Sequence, residues 1–183
     1  MKEVKANNIK SLIYRARNGE EEAFEIIYEQ FYTPIFRYLY FRIKDKDEAK
    51  DLSQIVFLKI FKSLKNLENR EINPIAYFLI ITKNTLIDYS RKRKNILLPN
   101  EEIKGIGDKT DNYFEKKEIN EIIRFAIKTL SEAQQEIIVL KFINELDNRE
   151  ISEITNKTEE TIRQLQSRGL RKLRKYFEEN NIL

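Results

Sequence analysis

The chain of 183 residues contains no cysteine, no histidine and no tryptophan. Without His, the commonest general base and the Ser-His and Cys-His couples are excluded. Without Cys and His together, structural zinc sites, iron–sulfur clusters and redox thiols are excluded. There is no disulfide framework, which suits a reducing compartment. Only four Gly and three Pro are present, too few for an all-β protein with many tight turns. No apolar run approaches the ~20 residues that span a bilayer. The start, Met1-Lys2-Glu3-Val4-Lys5, lacks the apolar stretch of a signal peptide. These absences point to a soluble, cytoplasmic protein with no membrane insertion. They leave room only for chemistry built on carboxylates, Lys or bound Mg²⁺.

What is present is charge. Asp, Glu, Lys and Arg make up 35% of the chain, against ~25% for an average soluble protein. The net charge of +4 is unevenly spread. Residues 1–94 carry 19 basic and 13 acidic side chains, net +6; residues 95–116 carry 3 and 5, net −2; residues 117–183 carry 12 and 12, net 0. Of the 20 Phe and Tyr, 14 lie before residue 90. Gly105, Gly107, Pro99 and several acids fall within Asn95–Asn112, a stretch of little periodicity. That composition predicts a flexible linker over 95–116 between helical domains at 1–94 and 117–183. The other reading of the stretch is a long surface loop inside one domain, but structureless loops of that length are uncommon there.

Apolar spacing predicts helices throughout, hence an all-α fold of two small domains. Ile9, Leu12, Ile13 and Ala16 form one stripe, with Gly19 placed to end the helix. Ala23, Phe24, Ile27, Tyr28 and Phe31 form the next. Pro34 is expected in the first turn of a separate third helix with Ile35, Phe36, Leu39, Tyr40 and Ile43. Ala49, Leu52, Val56, Ile60, Phe61 and Leu64 mark a long amphipathic helix, and Pro74 opens another that runs to about Arg93. Leu79-Ile80-Ile81-Thr82 could be a short buried strand, but the flanking period favours helix.

After the linker, Tyr113–Thr129 reads as one helix. Ser131 with Gln134 forms a capping-box pattern before Ile137, Ile138, Leu140 and Phe142, and Asp147 with Glu150 forms another. Asn156-Lys157-Thr158 is a polar turn, and Thr158 caps a last helix with Ile162, Leu165, Leu170, Leu173 and Phe177 as its expected buried positions.

The short helix, three-residue turn and long helix over 148–177 have the layout of a helix-turn-helix. The last helix carries Arg163, Arg168, Arg171, Lys172, Arg174 and Lys175 behind two N-terminal acids. Arg163, Gln164, Ser167 and Arg168 share one side near its start, opposite Ile162, Leu165 and Gly169. Arg can read guanine bidentately, Gln can read adenine, and cations such as Arg171 and Lys175 can hold phosphates. A second cluster, Arg91-Lys92-Arg93-Lys94, ends the helix from Pro74, where cations also suit the helix dipole. Tyr77 and Phe78 at that helix's start could stack bases, with Lys83 and Asn84 beyond them; one of the two rings is expected in the core. Asp45, Asp47, Glu48 and Asp51 could suggest Mg²⁺, but charged turns are far more often solvated, and no Gly-rich phosphate loop accompanies them. No metal site and no cofactor is expected.

Several segments resemble the extracytoplasmic-function type of the sigma-70 family of bacterial RNA polymerase sigma factors. Ala23-Phe24-Glu25-Ile26-Ile27-Tyr28, Asp51-Leu52-Ser53-Gln54-Ile55-Val56-Phe57-Leu58 and the run Pro74 to Arg93 resemble that family's region 2. Gln135-Glu136-Ile137-Ile138-Val139-Leu140, Glu150-Ile151-Ser152-Glu153-Ile154 and Thr161 to Arg171 resemble its region 4. The resemblance implies a promoter-recognition subunit without catalysis of its own, whose partners are core RNA polymerase (the β′ coiled coil and the β flap) and promoter DNA. It also allows for an anti-sigma protein as a further partner. It implies polymerase contacts at Asp51, Gln54, Phe57 and Leu58. It implies contacts to the −10 element from the loop Asn66–Asn73, including Asn69 and Arg70, and from Tyr77, Lys83, Asn84, Arg91, Lys92 and Arg93. It implies readout of the −35 element by Arg163, Gln164, Ser167 and Arg168, with Arg171 and Lys175 alongside. The chain departs from the family's usual residues at Ile55 (Glu), Tyr77 (Trp), Thr82-Lys83 (Ala-Arg), Gln135 (Arg) and Gly169 (Ala). The alternatives are a stand-alone helix-turn-helix regulator and a carboxylate- or metal-dependent enzyme.

Overall fold

A computed structural model describes residues 2–43, 45–65, 73–96 and 114–182. Among these residues every regular element is helical. The helices are α1 (Lys2–Arg17), α2 (Glu21–Tyr40), α3 (Lys46–Leu64), α4 (Pro74–Ile96), α5 (Phe114–Lys128), α6 (Glu132–Ile138), α7 (Asn148–Thr155) and α8 (Glu159–Glu179). A π-helical turn, Val139–Ile143, continues α6. The all-α expectation holds, and the run Leu79–Thr82 lies inside α4. Residues 97–113, most of the expected linker, lie outside the described residues.

Gly19 ends α1 at φ 93°, a conformation that costs a Cβ-bearing residue strain. Beyond it the second and third expected helices are one, because α2 continues through Pro34. An interior proline removes one backbone donor and costs about 3 kcal/mol. The core stripe explains why the helix continues: Ala23, Ile27, Phe31, Ile35, Tyr38 and Leu39 are all buried at unbroken helical spacing. Each large apolar side chain buried beyond Pro34 returns about 1.5–3 kcal/mol, so the uninterrupted helix wins.

The first four helices pack together, α2 lying against α1, α3 and α4. The surplus of aromatics before residue 90 is used here. Phe31 meets Phe78 edge-on at 4.8 Å, and Phe24 meets Phe61 at 4.9 Å. In the C-terminal half, α6 packs on α8 and α7 on α8. Both expected capping boxes form, at Ser131 with Gln134 and at Asp147 with Glu150. The two halves also touch, α4 against α7 and α2 against the π turn.

Candidate nucleic-acid interface

The helix-turn-helix is assembled from local signals. Asp147 caps α7, and Asn156 ends it in the left-handed conformation at φ 55°, which Asn tolerates better than most residues. Ser152 Oγ donates to the Lys157 carbonyl at 2.7 Å, tying the turn back to α7. Thr158 Oγ1 accepts the Thr161 amide at 3.2 Å and starts α8. Gln166 Nε2 donates to Asn148 Oδ1 at 3.1 Å, pinning the long helix to the short one. That cross-link has no motif signature and was not expected.

Ile162, Gly169 and Leu173 are the buried positions of α8. Leu170, expected in the core, is 45% exposed. The reason is angular: at ~100° per residue Gly169, seven residues on from Ile162, returns to the inner line and Leu170 swings off it. Gly169 has a packing role, for a Cβ there would sit 3.1 Å from Ile138 Cγ1. The glycine lets α6 approach α8. Arg163, Gln164, Ser167 and Arg168 are all exposed on one side of α8, and Arg171 and Lys175 extend that side. Arg163 pairs with Glu159 at 3.6 Å and Lys175 with Glu179 at 3.5 Å. Exposed pairs of this kind contribute roughly 0–1 kcal/mol, so a phosphate can replace either carboxylate.

On α4 the expected residues divide. Phe78 is the core ring, fully buried, while Tyr77 is part-buried beside it at 5.9 Å between centroids. Asn84, Arg91 and Lys92 are exposed. Arg93 Nη1 is committed to Glu48 Oε2 at 2.6 Å and to the Tyr89 hydroxyl at 3.2 Å, so it fastens α4 to the start of α3. Lys83 Nζ faces Glu136 of α6 at 3.1 Å. Asn69 and Arg70 lie outside the described residues.

On α3, Asp51, Gln54 and Leu58 are exposed, Leu58 at 62%. Phe57, expected beside them, is 3% exposed and belongs to the core, its ring 4.5 Å from that of Tyr28. The helical period places position 57 on the face of Ser53, Val56 and Ile60 instead. Ile55 takes its place on the open face at 46% exposure. Asp51, Gln54, Ile55 and Leu58 thus stand at i, i+3, i+4 and i+7, one stripe with an apolar end.

Two family models match this chain. "Sigma-70 region 2" covers residues 27–96, and "Sigma-70, region 4" covers residues 126–175. The RNA polymerase sigma factor SigZ of Bacillus subtilis is 34% identical over 131 residues, spanning 70% of this chain and 72% of that protein. The chain belongs to the sigma-70 family, in its extracytoplasmic-function branch. The sigma factor BldN of Streptomyces coelicolor, named an ECF RNA polymerase sigma factor, is 28% identical over 169 residues. That match covers 88% of this chain and 63% of the Streptomyces protein. Among solved structures, the sigma factor RpoE in complex with the anti-sigma factor NepR from Bartonella quintana is similar in fold. Its TM-score is 0.63 at 18% identity, covering 84% of this chain and 98% of that one. The presence of both sigma regions favours a sigma factor over a stand-alone helix-turn-helix regulator. No described helix is long and apolar enough to cross a membrane.

Proposed function

We infer that this sigma-family chain recruits core RNA polymerase to promoters and catalyses nothing itself, acting in the cytoplasm. The observation that carries the reading is the exposed face Arg163, Gln164, Ser167 and Arg168 on the capped second helix of a helix-turn-helix. Such a helix fits the major groove, where Arg and Gln distinguish base edges. The −35 element is its target, with Arg171 and Lys175 on flanking phosphates. The −10 element falls to α4, through Tyr77, Lys83, Asn84, Arg91 and Lys92, with Asn69 and Arg70 alongside. A base flipped from the stack costs only a few kcal/mol to extrude, within reach of a pocket that reads its edge. Arg93 fixes α4 to α3 through Glu48 and joins the same −10 set, its ion pair being more exposed than that of Lys83 with Glu136.

The stripe Asp51, Gln54, Ile55 and Leu58 docks on the β′ coiled coil, and the C-terminal domain meets the β flap. An exposed apolar end beside a carboxylate and an amide suits a helical partner surface. The domains are taken as 1–94 and 117–183 with a linker at 95–116, an arrangement that lets one polymerase hold two promoter elements at fixed separation. An anti-sigma protein is a further partner, by analogy with the complex in which the Bartonella protein was solved. The deciding experiment is run-off transcription: core polymerase should start at a specific promoter only when this chain is added.

A further inference from the structure

The last helix, α8, carries four glutamates, and three of them are paired. Glu159 faces Arg163 at 3.6 Å, Glu178 faces Arg174 at 3.0 Å and Glu179 faces Lys175 at 3.5 Å. Each pair spans four residues, the spacing at which helical neighbours meet. Glu160 is the exception. The residue four further on is Gln164, and among the described residues the exposed Glu160 side chain makes no ion pair and no hydrogen bond. It has no capping role either. Thr158 accepts the Thr161 amide, and Thr161 takes the third helical position, where a Glu or Gln would close a capping box. The helix dipole favours Glu159 and Glu160 alike, so it does not explain why one of them is left open.

Its angular position is more specific than its lack of a partner. With Arg163 set at zero, ~100° per residue puts Ser167 at about 40°, Gln164 at about 100° and Arg168 at about 140°. Glu160 falls at about 60°, on the midline of the face assigned to the −35 element, whereas Glu159 falls at about −40°, on its edge. An acid on that midline enters the groove with the face. There it is repelled by the phosphates on either side and by acceptor atoms on the base edges. Only two donors occur on the major-groove edges, the amino groups of cytosine and adenine. Adenine sets the acceptor N7 beside its amino group, and cytosine has no acceptor there. A carboxylate is therefore best matched by cytosine N4.

We propose that Glu160 is a further specificity-determining residue, which accepts a hydrogen bond from a cytosine amino group in the −35 element and rejects other bases at that position. The proposal rests on the assignment of α8 to the −35 element. Glu160 lies about 5 Å before Arg163 and Gln164 along the helix axis, the length of one or two base steps of about 3.4 Å. Its cytosine belongs that far from the bases read by those two. Glu160 selects by penalty as well as by attraction: at any other base its carboxylate stays unmatched among phosphates, and binding weakens. Arg168, Arg171 and Lys175 on the same face supply affinity without regard to sequence, and the acid lowers it at the wrong sites.

The test uses the full-length chain reconstituted with core polymerase and a pool of promoter duplexes randomised across the −35 segment. The bound duplexes are sequenced. The wild-type chain should enrich cytosine on one strand at a position beside the one that responds to Arg163→Ala. Glu160→Ala should flatten that preference by about fivefold to tenfold and bind duplexes lacking the cytosine more tightly than the wild type does. Glu160→Gln should move the preference there from cytosine to adenine, since an amide reads adenine N6 and N7. Glu159→Gln, which removes the same charge from the helix start, should leave that base unchanged. No cytosine preference in the wild type, or one retained in both Glu160 variants, overturns the proposal, even where the variants shift the melting temperature. If Arg163→Ala also selects the wild-type sequences, the assignment of α8 to the −35 element falls with it. If Arg163→Ala alters its own position, only the role of Glu160 is lost.

Discussion

Arg163 and Lys175 lie on the same exposed side of α8 but are expected to act differently. Arg163 stands in the first turns, where a recognition helix meets base edges. Arg163→Ala should relax preference at one −35 position by about 1–3 kcal/mol. Lys175→Ala should weaken binding evenly across sequences and lower the salt slope by about one. Competition binding across a set of single-base promoter variants, repeated at several salt concentrations, separates the two. An equal, sequence-independent loss for both contradicts direct readout. Gly169 gives a second residue-level test. Alanine there gains about 1 kcal/mol of helix propensity but brings a Cβ to 3.1 Å from Ile138 Cγ1. Gly169→Ala should therefore stabilise more in an Ile138→Ala background, where Cγ1 and Cδ1 are gone, than alone. Denaturant unfolding of the double-mutant cycle measures that coupling, and additive effects would remove the close-approach explanation.

Among elements, α3 carries its start signal in one residue. Asp45 accepts the backbone amides of Glu48 at 2.9 Å and Asp47 at 2.8 Å. Those bonds hold its carboxyl below the ordinary aspartate value. A depressed folded value contributes stability that is complete above the unfolded value of about 3.9 and is lost as pH falls through the folded one. Asp45→Asn should keep the cap and remove this part of the acid sensitivity. Asp45→Ala should cost about 1 kcal/mol at neutral pH. Thermal melts from neutral pH into the acid range check both.

The elements also show where sequence reasoning reaches and where it stops. Caps, Gly19 and helix type were legible because a few adjacent residues determine them. The continuation of α2 through Pro34 was not, since burial of Ile35, Tyr38 and Leu39 depends on α3 and α4 being in place. The π turn was also hidden: Val139-Leu140-Lys141-Phe142-Ile143 reads as ordinary helix, and its altered register leaves Phe142 half exposed. On α3 the resemblance puts Phe57 among the polymerase contacts, but the helical period assigns it to the core and gives the open face to Ile55. The Glu136–Lys83 pair joins residues far apart in the chain, so no local pattern could announce it.

For the molecule as a whole, the α3 stripe offers a prediction that stability cannot mimic. Leu58 is 62% exposed, and an exposed substitution usually changes stability within about 0.5 kcal/mol. Leu58→Glu should leave the melting temperature nearly unchanged while weakening binding to core polymerase by about tenfold or more, some 1.4 kcal/mol. Phe57→Glu should instead unfold the N-terminal half, because that ring is buried against Tyr28. Pull-down of core enzyme with parallel melting curves distinguishes docking from folding.

The central claim is that the chain supplies promoter choice to a polymerase that supplies the chemistry. Run-off transcription with purified core enzyme tests it most directly. Addition of the wild-type chain should produce a transcript of defined start from a matching promoter, Arg163→Ala should lower it on that promoter, and Leu58→Glu should lower it on every promoter. Failure of the wild-type chain to bind core polymerase, or promoter-independent transcription unchanged by its addition, would contradict the claim.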